Sequence, residues 1–451
     1  MAEFTIHEIC LATMGTVCSL EWGEKFTGIC TDTRKVKSGD LFIPLVGETF
    51  DGHDFIDQAV KSGARGVLSS RTNTVVPPHI SLILVDDTLM ALQGLARFHR
   101  QRFNIPVIAI TGSNGKTTTK DMTAAALSSQ LTVLKTEANY NNEIGLPLTL
   151  LQLSEQHEAA VVEMGMRGKG QIRQLAHIAL PTIAIITNVG ETHIELLGSV
   201  EEIAAAKAEL LEVIPPSGLT ILNADDHYTR GMDKQVQSRV TLFGLKQGDV
   251  RADHIQTNIQ GMNFTCRTAQ GDFSVHMPTF GKHNVYNALA AIAVGLEVGL
   301  KAEEISFGLS TFNASPMRLH IEMMGDYIII NDAYNASPMS MTAAIDTLVE
   351  VAINRKVVVL GDMLELGDIG VMAHRQIGEQ LARCHIDIVV TVGTLASHTA
   401  QVAIDHGIIA VACQSHDQAR EALKKLIQPS DTILIKGSRG MKMENMVKMF
   451  L

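Results

Sequence analysis

The stretch Pro106–Lys120, PVIAITGSNGKTTTK, decides the fold of the central part of this chain. Its continuous apolar run, Val107–Ile110, predicts a buried strand, because a half-exposed strand would alternate apolar and polar residues. A glycine turn and the start of a helix follow at Gly112–Thr118. Glycines let backbone N–H groups close around an anion, and the N-terminus of a helix directs partial positive charge to the same place. The stretch therefore predicts a phosphate-binding loop, in which Lys116 adds a point charge and Thr117 offers a hydroxyl to Mg²⁺ on a nucleotide. A glycine turn without a ligand is the alternative.

The composition indicates several packed domains and excludes one class of partner. With 451 residues, 46% of them hydrophobic, the chain is long enough for about three domains of roughly 150 residues. Its 48 acidic and 37 basic residues give a net charge of −11, so it lacks the positive field of a nucleic-acid-binding protein. We therefore expect no nucleic-acid partner, and local groups such as Lys116 must hold any anionic substrate.

The six cysteines form no CxxC pair and no cluster with histidine, so neither zinc nor a disulfide framework is indicated. Reduced thiols are typical of cytosolic proteins. The chain opens without a basic segment and apolar core, and no apolar run approaches the roughly 18 residues of a membrane span. We expect a cytoplasmic protein without a membrane span and, since there is no heptad pattern or exposed apolar strip, a monomer.

Three α/β segments follow one another along the chain. Residues 1–104 indicate a small α/β domain ending in a helix that begins near Asp87. Residues 105–314 predict a mainly parallel sheet covered on both faces, in which ligands bind at the carboxyl ends of strands. Residues 315–451 predict a Rossmann-like domain without the GxGxxG fingerprint, so we expect no nicotinamide cofactor. The predicted strands of the last two domains are Val107–Ile110, Ala159–Val162, Thr182–Thr187, Thr220–Leu222, Tyr327–Ile330, Val357–Leu360, Ile388–Val392, Ile409–Ala412 and Thr432–Ile435.

Two polar residues follow strands of the central sheet. Glu163 directly follows a predicted strand, where a phosphate-loop protein places its second Mg²⁺-holding carboxylate; a solvated strand end is the alternative. His193 closes the segment NVGETH after the next strand, and an ordinary surface histidine is its alternative interpretation. Its position on the same sheet edge favours a role toward metal or phosphate.

Lys207 lies in the predicted helix Val200–Ile214, and its neighbours at helical spacing are Ile203, Ala204, Leu210 and Leu211. An unpaired ammonium on an apolar face has a lowered pKa, because desolvation disfavours the charged form. A neutral buried amine can take up CO₂ to become a carbamate, which is a carboxylate-like Mg²⁺ ligand. The alternative is a lysine whose stem runs along the helix to the surface.

The motifs together resemble those of the Mur ligase family and its folylpolyglutamate synthetase relatives, over essentially the whole chain. The matching segments, in chain order, are TDTR (31–34), GDLFIPLVGE (39–48), DGHDF (51–55), GSNGKTTT (112–119), EANYNNEIGLP (137–147), the VxExG strand end (161–165), NVGETH (188–193), AAAKAEL (204–210), LNADD (222–226) and GKHNVYNALAA (281–291).

The resemblance implies residue roles and an N-terminal domain that binds a UDP-linked substrate. The ATP-binding residues it implies are Gly112, Ser113, Asn114, Gly115, Lys116, Thr117, Thr118, Asn284, Asn287, Arg318, Asp332 and Tyr334. The catalytic residues would be Lys116, Glu163, His193 and Lys207, and two Mg²⁺ ions would be held by Thr117, Glu163, His193 and carbamylated Lys207. The UDP-substrate residues would be Thr33, Arg34, Gly47, His53, Asn139, Asn141 and Asn142.

Three further segments resemble one branch of the family. DAYNASPMSM (332–341), GDMLELG (361–367) and KGSR (436–439) look like the members that add D-alanyl-D-alanine to UDP-N-acetylmuramoyl-tripeptide, whereas the DNPR motif of the diaminopimelate- or lysine-adding members is missing. Met441 departs from the small residues usual after KGSR. The resemblance implies ATP-driven formation of an amide through an acyl phosphate. The alternatives are another amide ligase of the superfamily, including a folylpolyglutamate synthetase, and a nucleotide-switch protein that shares only the phosphate loop.

Overall fold

The computed structural model describes residues 2–19, 25–258 and 260–450. Its architecture is three successive α/β domains, which confirms the predicted fold class.

The N-terminal domain contains a mostly parallel sheet and a separate strand pair. Its strands are β1 Phe4–Thr5, β2 Thr16–Ser19, β3 Lys25–Phe26, β4 Gly28–Cys30, β5 Asp40–Phe42, β6 Gly66–Ser69 and β7 Ser81–Leu84, and its helices are α1 Ile6–Thr13, α2 Ile56–Lys61 and α3 Thr88–Arg100. The sheet order is β2-β7-β6-β5-β4, and β1 pairs with β3. Asp87 caps α3 by accepting a hydrogen bond from the Met90 N–H at 2.8 Å, as its side chain predicts.

The central domain is built on a sheet with helices on both faces. Its strands are β8 Val107–Thr111, β9 Val133–Lys135, β10 Ala159–Glu163, β11 Ile183–Ile186, β12 Leu219–Asn223, β13 Arg239–Gly244, β14 Val250–Asn258, β15 Gly261–Thr268 and β16 Gly271–Met277. Its helices are α4 Lys116–Leu127, α5 Gly145–Leu150, α6 Gln171–Ala179, α7 Ile194–Leu197, α8 Val200–Ala208, α9 His227–Arg230, α10 Lys282–Val298 and α11 Ala302–Ser310. The order is β16-β15-β14-β13-β12-β11-β8-β10-β9.

Strand β8 lies inside this sheet between β10 and β11, parallel to both. Every residue of β8 is buried, and successive side chains enter different cores: Val107 and Ala109 one, Ile108 and Ile110 the other. This explains the uninterrupted apolar run, since a strand covered on both faces needs no polar alternation. The antiparallel strands β15 and β16 extend the sheet beyond β14.

The C-terminal domain is also built on a mainly parallel sheet that alternates with helices along the chain. Its strands are β17 His320–Met324, β18 Tyr327–Asp332, β19 Lys356–Gly361, β20 Ile388–Val392, β21 Ile409–Cys413 and β22 Thr432–Lys436, and its helices are α12 Pro338–Val351, α13 Gly370–Arg383, α14 Ala396–Asp405, α15 His416–Leu426 and α16 Glu444–Val447. The order is β17-β18-β22-β19-β20-β21, with only β17 antiparallel among these strands. Short 3-10 helices lie at Gly52–Phe55, Leu211–Val213, Gly231–Gln235, Gly367–Ile369, Arg439–Met441 and Lys448–Phe450.

One predicted helix boundary was wrong. The helix that carries Lys207 ends at Ala208 rather than Ile214, and a short 3-10 helix follows it. Ile214 is extended because a residue before proline is disfavoured in the helical region, and Pro215 comes next.

The proposed domain boundaries, after residues 104 and 314, lie in irregular segments of the chain. Just beyond the second, the Ser315 hydroxyl donates a hydrogen bond to buried Asp121 of α4 at 2.5 Å. Asp121 also pairs with Lys120 and Lys135, at 3.2 and 3.0 Å. Burial alone would raise the pKa of Asp121, but the two ammonium groups and the Ser315 hydroxyl hold it below its usual value. The start of the C-terminal domain is thus fixed to α4 by a buried carboxylate.

Across the described ranges, no helix combines the length and the apolar character needed to cross a bilayer.

Candidate active site

The carboxyl ends of the parallel strands in the central and C-terminal sheets meet at one cleft of about 1080 Å³. Glu163 ends β10, Asn223 ends β12, Asp332 ends β18 and Lys436 ends β22, and all four line this cleft. The phosphate-binding loop lines it too. Ligands bind at this edge of open α/β sheets, so the topology brings the predicted ATP and metal residues to one place.

The loop between β8 and α4 depends on two glycines. Gly112 has φ +151°, and a Cβ there would overlap the Thr187 hydroxyl; Gly115 has φ +80°, and a Cβ would lie 2.5 Å from Oδ1 of Asn287. The loop is also pinned to the segment after β11, because the Asn114 N–H donates to Oδ1 of Asn188 at 2.9 Å. Helix α4 begins at Lys116, so its N-terminus faces the turn as predicted.

Lys116 folds back on this loop. Its Nζ donates to the carbonyl oxygens of Gly112 and Ser113, at 2.7 and 3.2 Å. Desolvation lowers its pKa; Glu163 opposes that change, and the charge of Arg318 adds to it. Arg318, from the C-terminal domain, lines the same cleft as Lys116.

Glu163 is held between two predicted site residues. The Thr117 hydroxyl donates to its Oε2 at 2.7 Å, and the Asn141 side-chain amide donates to its Oε1 at 2.7 Å. The carboxylate is almost fully buried. Asn139 and Asn142 line the same cleft, and Oδ1 of Asn142 also accepts a hydrogen bond from the Gly145 N–H at the start of α5, at 2.8 Å. The segment EANYNNEIGLP (137–147) and the predicted strand-end acid therefore meet.

Lys207 is 2% exposed, and its side-chain amine forms no hydrogen bond or ion pair with any described residue. Burial, reinforced by the nearby ammonium of Lys116, places the pKa of Lys207 well below its usual value. The sequence pattern predicted an unpaired ammonium on an apolar face. The charge of nearby Lys116 is a second cause of the lowered Lys207 pKa, and helical spacing does not reveal it.

His193 is partly buried at the same edge. Burial lowers its pKa, and the carboxylate of Glu365, which opposes that change, lies 2.5 Å from Nδ1. The charges of Lys116 and Lys207 also lower the pKa of His193, and all three side chains line the same cleft. Glu365 comes from the C-terminal domain and was not among the predicted site residues.

Two of the predicted ATP-binding residues, Asn284 and Asn287, form a buried hydrogen-bonded pair on α10. The Asn287 amide donates to Oδ1 of Asn284 at 3.0 Å and accepts a bond from the Thr119 hydroxyl at 3.1 Å. Both asparagines line the cleft beside Gly115. Thr118 lines the cleft as well.

The C-terminal domain contributes Arg318, whose guanidinium lies 4.1 Å from the centre of the Tyr334 ring. Asp332 is occupied within its own domain, since Oδ2 pairs with Lys436 at 2.5 Å and Oδ1 accepts from the Leu319 N–H at 3.0 Å. Lys436 is a buried cation that sequence reasoning did not assign to the site. The sequence feature that could have identified Lys436 as a site residue is a charged residue at the end of the apolar strand TILIK.

Four predicted UDP-substrate residues do not line this cleft: Thr33, Arg34, Gly47 and His53. Arg34 forms a two-point bond with Asp32, at 2.9 and 2.8 Å. His53 is buried, its Nδ1 lies 2.6 Å from Asp51, and its Nε2 accepts from the Ser70 N–H at 3.2 Å. Both ring nitrogens of His53 are therefore occupied, so its geometry supports shaping the loop that precedes it rather than direct contact with a ligand.

The fold and the site define a three-domain phosphate-loop protein, and the chain belongs to the Mur ligase family. The family descriptions that match are "Mur ligase family, catalytic domain" over residues 25–100, "Mur ligase middle domain" over 110–295 and "Mur ligase, glutamate ligase domain" over 317–439. The UDP-N-acetylmuramoyl-tripeptide–D-alanyl-D-alanine ligase of Bacillus subtilis is 41% identical, covering 99% of this chain and 98% of the relative.

Two solved structures are similar. MurF from Acinetobacter baumannii superposes with a TM-score of 0.93 at 34% identity and covers 99% of this chain and 98% of its own. MurF from Thermotoga maritima, solved in complex with ADP, gives a TM-score of 0.84 at 28% identity, covering 94% and 96%. The resemblance found in the sequence motifs is thus confirmed at the level of the family.

Proposed function

We propose that this protein is an ATP-dependent ligase that joins D-alanyl-D-alanine to the peptide carboxylate of UDP-N-acetylmuramoyl-tripeptide. Its products are the UDP-linked pentapeptide precursor of peptidoglycan, ADP and phosphate. One observation carries the proposal: a phosphate loop with Lys116, a second cation in Arg318 and a buried carboxylate at Glu163 converge on one interdomain cleft. The Bacillus subtilis relative bears the name of this activity, and the Thermotoga maritima relative binds ADP.

The reaction needs an oxygen of the tripeptide carboxylate to become a leaving group. That oxygen attacks the γ-phosphorus of ATP, the bond to ADP breaks, and an acyl phosphate forms. The amine of D-alanyl-D-alanine then attacks the carbonyl carbon, phosphate departs, and the amine proton passes to water. Lys116, Arg318 and the N–H groups of the Gly112–Thr117 loop stabilise the negative charge on the transferring phosphoryl group. No nucleophilic side chain takes part.

The residues of the cleft suit Mg²⁺, a hard cation that prefers oxygen ligands. Glu163 presents a buried carboxylate bonded to the Thr117 hydroxyl, and His193 lies at the same edge. In the described ranges no three His, Cys, Asp or Glu side chains form a cluster able to hold a metal, so the proposed set also draws on Thr117 and Lys207. Two bound Mg²⁺ ions would neutralise phosphate charge.

Lys207 is proposed to act as a carbamate. The lowered pKa of Lys207 favours the neutral amine, whose lone pair attacks the carbon of CO₂ while one N–H proton leaves to water. The carbamate carries one negative charge, which attracts the ammonium of Lys116. A protonated Lys207 would instead repel it.

We further propose that the N-terminal domain binds the UDP part of the substrate through the segments that hold Thr33, Arg34 and Gly47. Asn139, Asn141 and Asn142 would then guide the peptide into the cleft, which they line together with Leu89 of α3. The six cysteines are free thiols, which supports a cytoplasmic protein. We propose that it acts as a monomer.

The test is phosphate release from ATP with UDP-N-acetylmuramoyl-tripeptide and D-alanyl-D-alanine, omitting each substrate in turn. We expect release only when both are present, with a UDP-linked pentapeptide as product. Release that depends on a different carboxylate or amine would assign the chain to another step of the superfamily and overturn the named substrates. Nucleotide hydrolysis that needs no acceptor would overturn the ligase mechanism.

A further inference from the structure

Glu365 contacts the segment after β11 with both its side chain and its backbone. Its Oε2 lies 2.5 Å from Nδ1 of His193, and its carbonyl oxygen accepts a hydrogen bond from the Glu195 N–H at 3.4 Å. Glu365 belongs to the C-terminal domain, in the motif GDMLELG, and His193 belongs to the central domain. The two residues are 172 positions apart in the chain.

Both partners have a backbone conformation that non-glycine residues rarely adopt. His193 has φ +66° and Glu365 has φ +61°. Such a conformation costs about 1 kcal/mol or more for each residue, and it persists where the surroundings impose it, often at functional sites. Because both strained residues bond to each other across a domain boundary, their conformation indicates a functional role for this contact.

Packing around this pair supports the contact. Ile194, which starts α7, packs against the core of the C-terminal domain as well as that of its own. Gly367 has φ +52° and lies against Glu195, where a Cβ would be 3.5 Å from the Glu195 side chain. Helix α7 therefore rests on the loop that carries Glu365.

The contact with Glu365 determines which ring nitrogen of His193 is available to bind a cation. A carboxylate at Nδ1 favours a proton on that atom, and the lone pair of Nε2 is then left for a cation. A carboxylate behind a metal-binding histidine orients the ring and raises its basicity. Here the carboxylate comes from another domain, so the orientation exists only when the C-terminal domain stands against α7.

We propose that Glu365 is a positioning residue that makes the capacity of His193 to bind a divalent cation depend on the placement of the C-terminal domain. This inference rests on the proposed function, in which His193 is a metal ligand. The inference also assigns a role to Glu365, the glutamate of the motif GDMLELG, which takes no direct part in phosphoryl transfer.

The test measures Mn²⁺ affinity of the full-length protein in the presence of ADP by electron paramagnetic resonance. Glu365→Ala should weaken Mn²⁺ binding by about 10- to 100-fold, the loss typical when the partner of a metal-binding histidine is removed. Glu365→Gln keeps an oxygen that accepts from Nδ1 and should retain most of the affinity. Asp368→Asn is the matched control, because Asp368 is exposed in the same loop and forms no hydrogen bond with any described residue.

A double variant makes the test independent of general damage to the protein. If Glu365 acts through His193, Glu365→Ala should weaken Mn²⁺ binding no further in a His193→Ala background. In steady-state assays Glu365→Ala should raise the KM for Mg²⁺ more than it lowers kcat. Unchanged Mn²⁺ affinity in a folded Glu365→Ala protein, losses that add in the double variant, or an equal loss in Asp368→Asn would overturn the inference. None of these outcomes touches the proposed ligase activity, which the phosphate-release assay tests separately.

Discussion

The substitution Gly115→Ala tests whether the phosphate-binding loop needs its glycine geometry. Two costs can be worked out from the structure. Alanine at φ +80° costs about 1–2 kcal/mol, because its Cβ crowds the following carbonyl. That Cβ would also lie 2.5 Å from Oδ1 of Asn287, whose hydrogen bonds to Thr119 and Asn284 resist movement. Losing one or two such bonds costs about 1 kcal/mol each.

These costs sum to about 2–4 kcal/mol, which corresponds to a loss of ADP affinity of about 30- to 1000-fold if the loop moves to relieve the strain. We would measure ADP binding by isothermal titration calorimetry and folding by circular dichroism. Gly407→Ala is the matched control: its φ is +79°, and no described atom lies within 4 Å of the added Cβ. It should keep wild-type affinity. ADP binding by folded Gly115→Ala within about threefold of wild type would refute the reasoning.

Three further outcomes follow. Lys116→Ala should lower phosphate release at least about 100-fold, because a charge partner of the transferring phosphoryl group is lost; a wild-type rate would exclude the loop from the mechanism. Lys207→Ala should be inactive and be partly rescued by short carboxylates such as formate, and full activity without them would contradict the carbamate. Asp121→Asn should lower the free energy of unfolding by about 2–4 kcal/mol at neutral pH, since Lys120 keeps its burial but loses its anion. Because the folded pKa of Asp121 lies below its usual value, its contribution is complete above the unfolded pKa of about 3.9 and is lost as pH falls through the folded pKa. The difference in urea midpoint between wild type and Asp121→Asn should therefore shrink only below about pH 4; a difference that shrinks between pH 7 and 5 would show that another group is responsible.

The parts of the fold that the sequence predicts are those set by local spacing. The run Val107–Ile110 indicated a fully buried strand, and the glycines, Lys116 and Thr117 indicated a loop at a helix N-terminus, because all of these depend on residues within one turn or one strand. The burial of Lys207 was also predictable, since Ile203 and Ala204, its neighbours at helical spacing within α8, are apolar and buried.

What could not be predicted depends on contacts between distant segments. The pairs Glu365–His193 and Asp332–Lys436 join residues 172 and 104 positions apart, and each needs the folded C-terminal domain to form. The role of His53 near the UDP-linked substrate stays a prediction. The contacts that the sequence did not reveal are those of its ring nitrogens with partners inside the N-terminal domain.

The hydrogen bonds from Lys116 to the carbonyls of Gly112 and Ser113 bear on how the product leaves. A phosphate oxygen must displace those carbonyls before it can bond to Lys116, so the ammonium exchanges one set of acceptors for another. The gain in binding free energy is therefore smaller than that from a new charged hydrogen bond. When phosphoryl transfer has removed the γ-phosphate from the nucleotide, the ammonium can return to its own loop. We therefore expect Lys116 to add little to the retention of ADP, so that Lys116→Ala weakens ADP binding much less than it slows phosphoryl transfer.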